Sequence, residues 1–199
     1  MIGRTILSVT ITFTLLSVLP GRADTGKCLK GDCYEGRGIY HFADGTVYKG
    51  HFSDGMIDGK GVITYPDNKI FDGNFKNGLP DGHGTLSYPD GDHYEGDFMA
   101  GSKYGEGEYT YHNGGKYSGH FVNNLPDGQG TMIYPDGSCY IGKFRNGKFS
   151  GQGTFSYADG SSYTGEFKRG KKNGQGTYIF QDGSKQTGLF RNDGYVGEK

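Results

Sequence analysis

A chain of 199 residues has room for one domain, and its formal net charge of −1 gives no general reason to expect nucleic acid or another polyanion as a partner. Thirty-nine glycines and only 33% hydrophobic residues exclude a thick globular core. Sixteen tyrosines and thirteen phenylalanines argue equally against disorder, because disordered chains are poor in aromatics, so the chain is expected to fold around aromatic surface.

The first 23 residues differ from the rest. Arg4 precedes an apolar run from Ile6 to Leu19, followed by Pro20-Gly21-Arg22-Ala23, with small residues three and one before a cut after Ala23. That order describes a secretory signal peptide, residues 1–23, and the run falls short of the ~20 residues that span a bilayer. The mature chain is expected to begin at Asp24 and to be exported from the cytoplasm. Export permits disulfides, and Cys28 and Cys33 enclose four residues, a short staple within an N-terminal cap over 24–35. Cys139 is left over and is expected as a free thiol. No second CxxC is present to complete a zinc site.

From about residue 36 to 197 the chain repeats. Units start at Tyr48, Phe71, Tyr94, Tyr117, Tyr140 and Tyr163, always 23 residues apart, with the half unit "GRGIYHFADG" before them and a truncated one from Gln186. Within a unit an aromatic is followed two residues later by glycine and two later again by phenylalanine, as in Tyr94, Gly96 and Phe98. Period two predicts a strand. A second alternating set, such as Gly82, Gly84, Leu86 and Tyr88, predicts another.

The two strands are expected to meet through a loop of roughly five residues at one end and a tight Asp-Gly turn at the other. The reading is therefore all-β, a single-sheet antiparallel meander solenoid of 23-residue β-hairpin repeats, with about fourteen strands at ~4.8 Å spacing. Glycines would let rings from adjacent strands lie flat on the backbone, so that a ring at Gly84 or Gly107 would clash. The aromatic face is expected to form a groove, and the rings singled out for binding are Tyr94, Phe98, Tyr117, Phe121, Tyr140 and Phe144, for which packing of the sheet is the other role open. The ends of the sheet are open edges, which the Cys28–Cys33 loop and the charged tail are expected to protect.

The pattern Y-x-G-x-F-x-x-G, continued by G-x-G-x-x-x-Y and a D-G turn, resembles the membrane occupation and recognition nexus, or MORN, repeat. Six full copies keep register. Asn124 stands where the loop glycine is expected and Asn68 where the turn glycine is, both tolerant of left-handed backbone angles, while Gln186 replaces the leading aromatic of the last half repeat. The resemblance implies a non-catalytic binding or scaffolding module that holds a protein segment along its groove. In some relatives it implies acidic phospholipid binding. Enzymes that carry such repeats hold catalysis in a separate domain, for which this sequence leaves no residues.

His41, His51, His83, His93, His112 and His120 occupy differing repeat positions, and only His51 and His120 share a register, three repeats apart. The stretch "DGDHYE" at 90–95 lacks the third ligand, glycine and terminal glutamate of a calcium loop. No catalytic residue, cofactor or metal is expected. Charge is uneven along the chain: residues 44–130 hold thirteen acids against six lysines, and 143–191 hold nine bases against three acids. The basic part peaks at Lys168, Arg169, Lys171 and Lys172, a candidate contact for anionic membrane lipid. Opposite charge at the two ends also suits a homo-oligomer joined head to tail.

Overall fold

The computed structural model describes residues 26–198; the expected signal peptide lies outside the described residues. Sixteen strands form one antiparallel sheet in strict chain order. They are β1 (Lys27–Gly31), β2 (Gly36–His41), β3 (Val47–Ser53), β4 (Met56–Thr64), β5 (Ile70–Lys76), β6 (Leu79–Ser87), β7 (His93–Met99) and β8 (Ser102–Thr110). The second half repeats the scheme with β9 (Lys116–Val122), β10 (Leu125–Ile133), β11 (Cys139–Arg145), β12 (Lys148–Ser156), β13 (Ser162–Lys168), β14 (Lys171–Ile179), β15 (Lys185–Arg191) and β16 (Gly194–Gly197). The two strands beyond the expected fourteen are the short edges β1 and β16. A disulfide joins Cys28 in β1 to Cys33, with Cα atoms 6.0 Å apart, so the staple is itself part of the edge.

One row of the sheet is almost pure glycine. Gly50, Gly61, Gly73, Gly84, Gly96, Gly107, Gly119 and Gly130 pair in turn across successive strands. The leading aromatic of each unit lies over this row. A Cβ on Gly84 would stand 2.6 Å from Phe71 Cζ, and one on Gly107 2.7 Å from Tyr94 Cε2. Even a methyl group is therefore too large. The hydroxyls of Tyr48, Tyr94, Tyr117, Tyr140 and Tyr163 each donate to the backbone carbonyl three residues on, at 2.9–3.1 Å. That residue is the one skipped by a β-bulge against the next strand, as between Gly96 and Phe98, so the phenol satisfies a carbonyl the ladder leaves over.

The rings then lock the repeats together. Tyr94 meets Phe98 of its own unit edge-to-face at 5.1 Å and Phe121 of the next at 5.1 Å; Tyr117 meets Phe121 and Phe144 at 5.0 Å each. The same alternation runs from Tyr48 to Phe190. Each buried ring contributes roughly 1.5–3 kcal/mol. An edge-to-face pair adds about 0.5–1.5 kcal/mol.

The connections reverse the expected lengths. The end expected to be the longer loop is a two-residue turn between strands such as β3 and β4, with both residues at positive φ: Asp54 and Gly55 at 50° and 73°, Asn123 and Asn124 at 48° and 69°. This is the turn whose twist matches a hairpin. The Pro-Asp-Gly end is the longer one, 65–69 between β4 and β5, because the turn there needs one left-handed residue after it: Gly91 at 93°, or Asn68 at 63°. Both asparagines thus take the left-handed angles expected of them.

Gly107→Ala is expected to destabilise the protein by roughly 1–3 kcal/mol, since the Tyr94 ring must move. Gly194→Ala, where the nearest atom to a Cβ is 3.5 Å away, is expected to be close to neutral. Denaturant unfolding of the two variants checks the difference.

Candidate functional site

The six rings expected to line a binding groove do not line one. Tyr94, Tyr117 and Tyr140 have no exposed surface, and Phe98, Phe121 and Phe144 are 4%, 2% and 1% exposed. They are the glycine-stacked core, and a partner cannot touch them without dismantling the repeat contacts.

The accessible aromatic surface is another rank of the same face. Phe42, Tyr65, Tyr88, Tyr111, Tyr134 and Tyr157 are half-buried against the core, and Phe180 is exposed, one ring per repeat at the Pro-Asp-Gly edge. Their signal in the sequence is the tyrosine that closes G-x-G-x-x-x-Y immediately before each turn. A second rank joins them in the C-terminal half. At the inner position Leu86 is fully buried, but Met132, Phe155 and Tyr178 are half-exposed. Tyr134 and Phe155 lie 5.9 Å apart, and Tyr157 and Tyr178 5.8 Å. Accessible ring surface is therefore widest in the last three repeats.

Two lysines lie within this face, a feature the sequence reading did not anticipate. Where other units place Ile57, Pro80, Pro126 or Phe149, the third and sixth place Lys103 and Lys172. Lys103 is 4% exposed, its ammonium 4.2 Å from the Tyr109 ring centre, 5.0 Å from Tyr94 and 5.4 Å from Tyr88. Lys172 is seated equivalently, 4.8 Å from Tyr178, 5.5 Å from Tyr163 and 5.7 Å from Tyr157. Burial pushes the Lys103 ammonium down to about 7, opposed by the nearby Asp92 carboxylate, and it lowers Lys172 as well.

The same two repeats are clamped differently. In most units a carboxylate accepts the backbone N–H nineteen residues on: Asp58 from Asn77, Asp81 from Ala100, Asp127 from Asn146. Tyr104 and Asn173 stand at that position after the buried lysines. There the bond runs the other way, from Lys103 N–H to Asn124 Oδ1 at 2.9 Å and from Lys172 N–H to Asp193 Oδ1 at 2.8 Å.

Lys172 is consequently withdrawn from the basic cluster expected to meet an anionic ligand. Lys168, Arg169 and Lys171 remain exposed at the two-residue turn. Lys168 faces Lys171 across the ladder, and Arg145 faces Lys148 one repeat earlier.

The histidines do not converge: Arg37 donates to His51, His120 contacts the Asp127 carbonyl, and His83 lies beside Asp97 and Glu95. Asp90, Asp92 and His112 bring ligand atoms within 4.8 Å of one another, but Asp92 already accepts from the Tyr109 hydroxyl at 2.6 Å and the His112 N–H at 2.9 Å. Its carboxylate is a link between repeats. Cys139 is unpaired and half-buried, and burial raises its thiol pKa.

The MORN repeat profile matches residues 34–47, 48–70, 71–93, 94–116, 117–139, 140–162 and 163–185. Curated protein sequences give no match. Among solved structures, the chain is similar to the TCP domain of SAS-4 (dCPAP) of Drosophila melanogaster, solved in complex with a proline-rich motif of Ana2 (dSTIL). The identity is 17%, over 86% of this chain and 94% of that one, with a TM-score of 0.50. It is also similar to a point mutant of the TCP10 domain of Danio rerio CPAP, at 19% identity over 76% and 71% of the two chains, with a TM-score of 0.43. At such identity the first likeness bears on the fold alone.

An unfolded lysine titrates near 10.4, Lys103 in the fold near 7, so between these values the unfolded chain binds more protons and stability rises with pH. Above about pH 10 unfolded tyrosines ionise. Buried Tyr48, pushed up to about 12 chiefly by desolvation, does not, and stability falls again. Lys103→Met is expected to raise stability at pH 7 by roughly 1–3 kcal/mol and to flatten the rise from 7 to 10, as thermal melts at several pH values would show.

Proposed function

Because the chain belongs to the MORN repeat family, a family of binding and scaffolding repeats, we propose that it is an exported, non-catalytic module that holds a protein segment on its aromatic face. The observation that carries this reading is the unbroken rank of half-exposed rings from Phe42 to Phe180, one per repeat, left over after a separate set of rings has built the core. A peptide lying across the strands would meet the same chemistry at every repeat. The Drosophila neighbour, solved with a proline-rich motif of another protein, supports a protein segment as the class of partner.

Export rests on the N-terminal sequence pattern and draws support from the Cys28–Cys33 disulfide, since such bonds persist in oxidising compartments. Intact-mass analysis of protein made in its secreting host is expected to find Asp24 as the first residue. A product retaining Met1 would sink the export reading.

Peripheral binding to anionic phospholipid is the second reading. Like-charged residues directly opposite each other destabilise a sheet, and Arg145, Lys148, Lys168 and Lys171 form two such pairs at one edge.

One comparison separates the readings. In selections from a random peptide library, Tyr111→Ala/Tyr134→Ala is expected to lose the peptides that the parent enriches while melting within a few degrees of it, whereas Phe121→Ala lowers the melting temperature. Co-sedimentation with anionic vesicles that disappears on neutralising Lys168, Arg169 and Lys171, with no peptide enriched, would put lipid first.

A further inference from the structure

Each glycine pair of the sheet needs a cover, and at the N-terminal end that cover is not a ring. Gly61, Gly84, Gly107 and Gly130 lie beneath Tyr48, Phe71, Tyr94 and Tyr117, and Gly38 is the preceding member of the same 23-residue series. The ring for Gly38 would have to come from residue 25, which is threonine. Cys33 takes its place. Its Sγ lies 2.5 Å from where a Cβ on Gly38 would stand, the approach that Tyr48 Cε2 makes at Gly61. Cys33 is packed against the core and is bonded to Cys28 in β1.

Little else holds β1. All five of its residues are exposed, and its ladder to β2 is broken by a bulge between Cys28 and Lys30. Bulges and lysines are what edge strands use to refuse further partners, and β1 carries both, with Lys27 and Lys30. The strand beneath it, β2, has no lysine, buries Gly38 and half-buries Ile39 and Tyr40. Freed of β1, it is an undefended edge. The release would stop at residue 34, because Gly55 N–H donates to the Tyr34 carbonyl at 2.9 Å and Asp54 N–H to Glu35 Oε1 at 2.9 Å, tying this segment to the turn between β3 and β4.

The strand that sits beside β2 is restricted. Glycine faces Gly38 from both sides, Gly31 in β1 and Gly50 in β3. A second β2 brings its own glycine: paired about a two-fold axis at Gly38, two copies place Gly36 opposite Tyr40 and Arg37 opposite Ile39, so that no like charges meet. Such a pair is self-complementary and closes, unlike a head-to-tail array.

We propose that the Cys28–Cys33 disulfide is a latch, and that its reduction opens the edge of β2 to β2 of a second copy of this chain. The reductant is a dithiol. One of its thiolates attacks Sγ of the exposed Cys28, the S–S bond breaks, and Cys33 leaves as a thiolate that takes up a proton. The second thiol then displaces Cys28, which is protonated in turn, and the reductant departs as its own disulfide.

The test is light scattering and hydrogen exchange of the purified protein, in a Cys139→Ser background, with and without dithiothreitol. The oxidised protein is expected to be a monomer. On reduction, exchange rises over residues 27–33 and stays unchanged in β5 to β12, while the mass doubles. Cys28→Ser/Cys33→Ser/Cys139→Ser is expected to dimerise without any reductant. In that cysteine-free background, Arg37→Cys and Ile39→Cys chains mixed together are expected to cross-link on mild oxidation faster than either alone. A reduced protein whose β1 exchanges no faster would overturn the latch. A β1 that opens in a protein that stays monomeric or grows into open-ended assemblies, or a dimer already present when oxidised, would overturn the pairing of β2 edges. Loss of a cooperative melting transition in the triple variant would make the disulfide a support of the whole fold and overturn the latch as well.

Discussion

The fold depends on one contact: an aromatic ring lying flat on a pair of glycines in adjacent strands. A single antiparallel sheet has no second layer to bury its apolar face, and an isolated hairpin is marginal in water. Here the backbone itself is the second surface. Tyr94 rests on Gly96 and Gly107, donates to the Asp97 carbonyl that the bulge has freed, and offers its edge to Phe98 and Phe121. The ring therefore closes its own repeat and fastens the next. Repetition of that contact turns weak hairpins into one continuous sheet, as expected when stability is shared between nearest neighbours.

This division of labour leaves the rest of the face available. The glycine-stacked rings are consumed by packing, so the accessible rings are those of the rank before each Pro-Asp-Gly turn, which touch the core with one side only. Charge is divided across the strands as well as along them. Aspartates line the aromatic edge, while Arg145, Lys148, Lys168, Arg169, Lys171 and Arg191 flank the two-residue turns of the other edge and Lys185 stands at the aromatic one.

The third and sixth repeats show how far the pattern bends. Each puts lysine where an apolar residue is usual, surrounds the ammonium with tyrosine faces, and reverses the clamp to the following turn. In both repeats no aspartate stands after the lysine, Tyr104 or Asn173 taking its place, and the acceptor is Asn124 or Asp193 in the next turn. Buried charge is costly unless partnered. Asp92 near the first lysine and Asp193 near the second offset part of that cost, but desolvation outweighs them and lowers both lysines.

The sequence alone determined the period of 23, the paired strands, the glycine and aromatic alternation, and the left-handed residues Asn68 and Asn124, because each follows from short-range backbone preference. It also marked Cys28 and Cys33 as a pair by their closeness in the chain. Only the tertiary structure decided which aromatic rank is core and which is surface. Tyr94 and Tyr88 look equivalent in an alternating pattern, yet the first lies over glycines and the second over side chains, a difference set by register with the neighbouring strand β8. The same holds for Lys172, whose neighbours in sequence are exposed bases and whose neighbours in space are Tyr157, Tyr163 and Tyr178. Direction across a sheet is a property of pairing, and pairing is absent from any one strand read by itself.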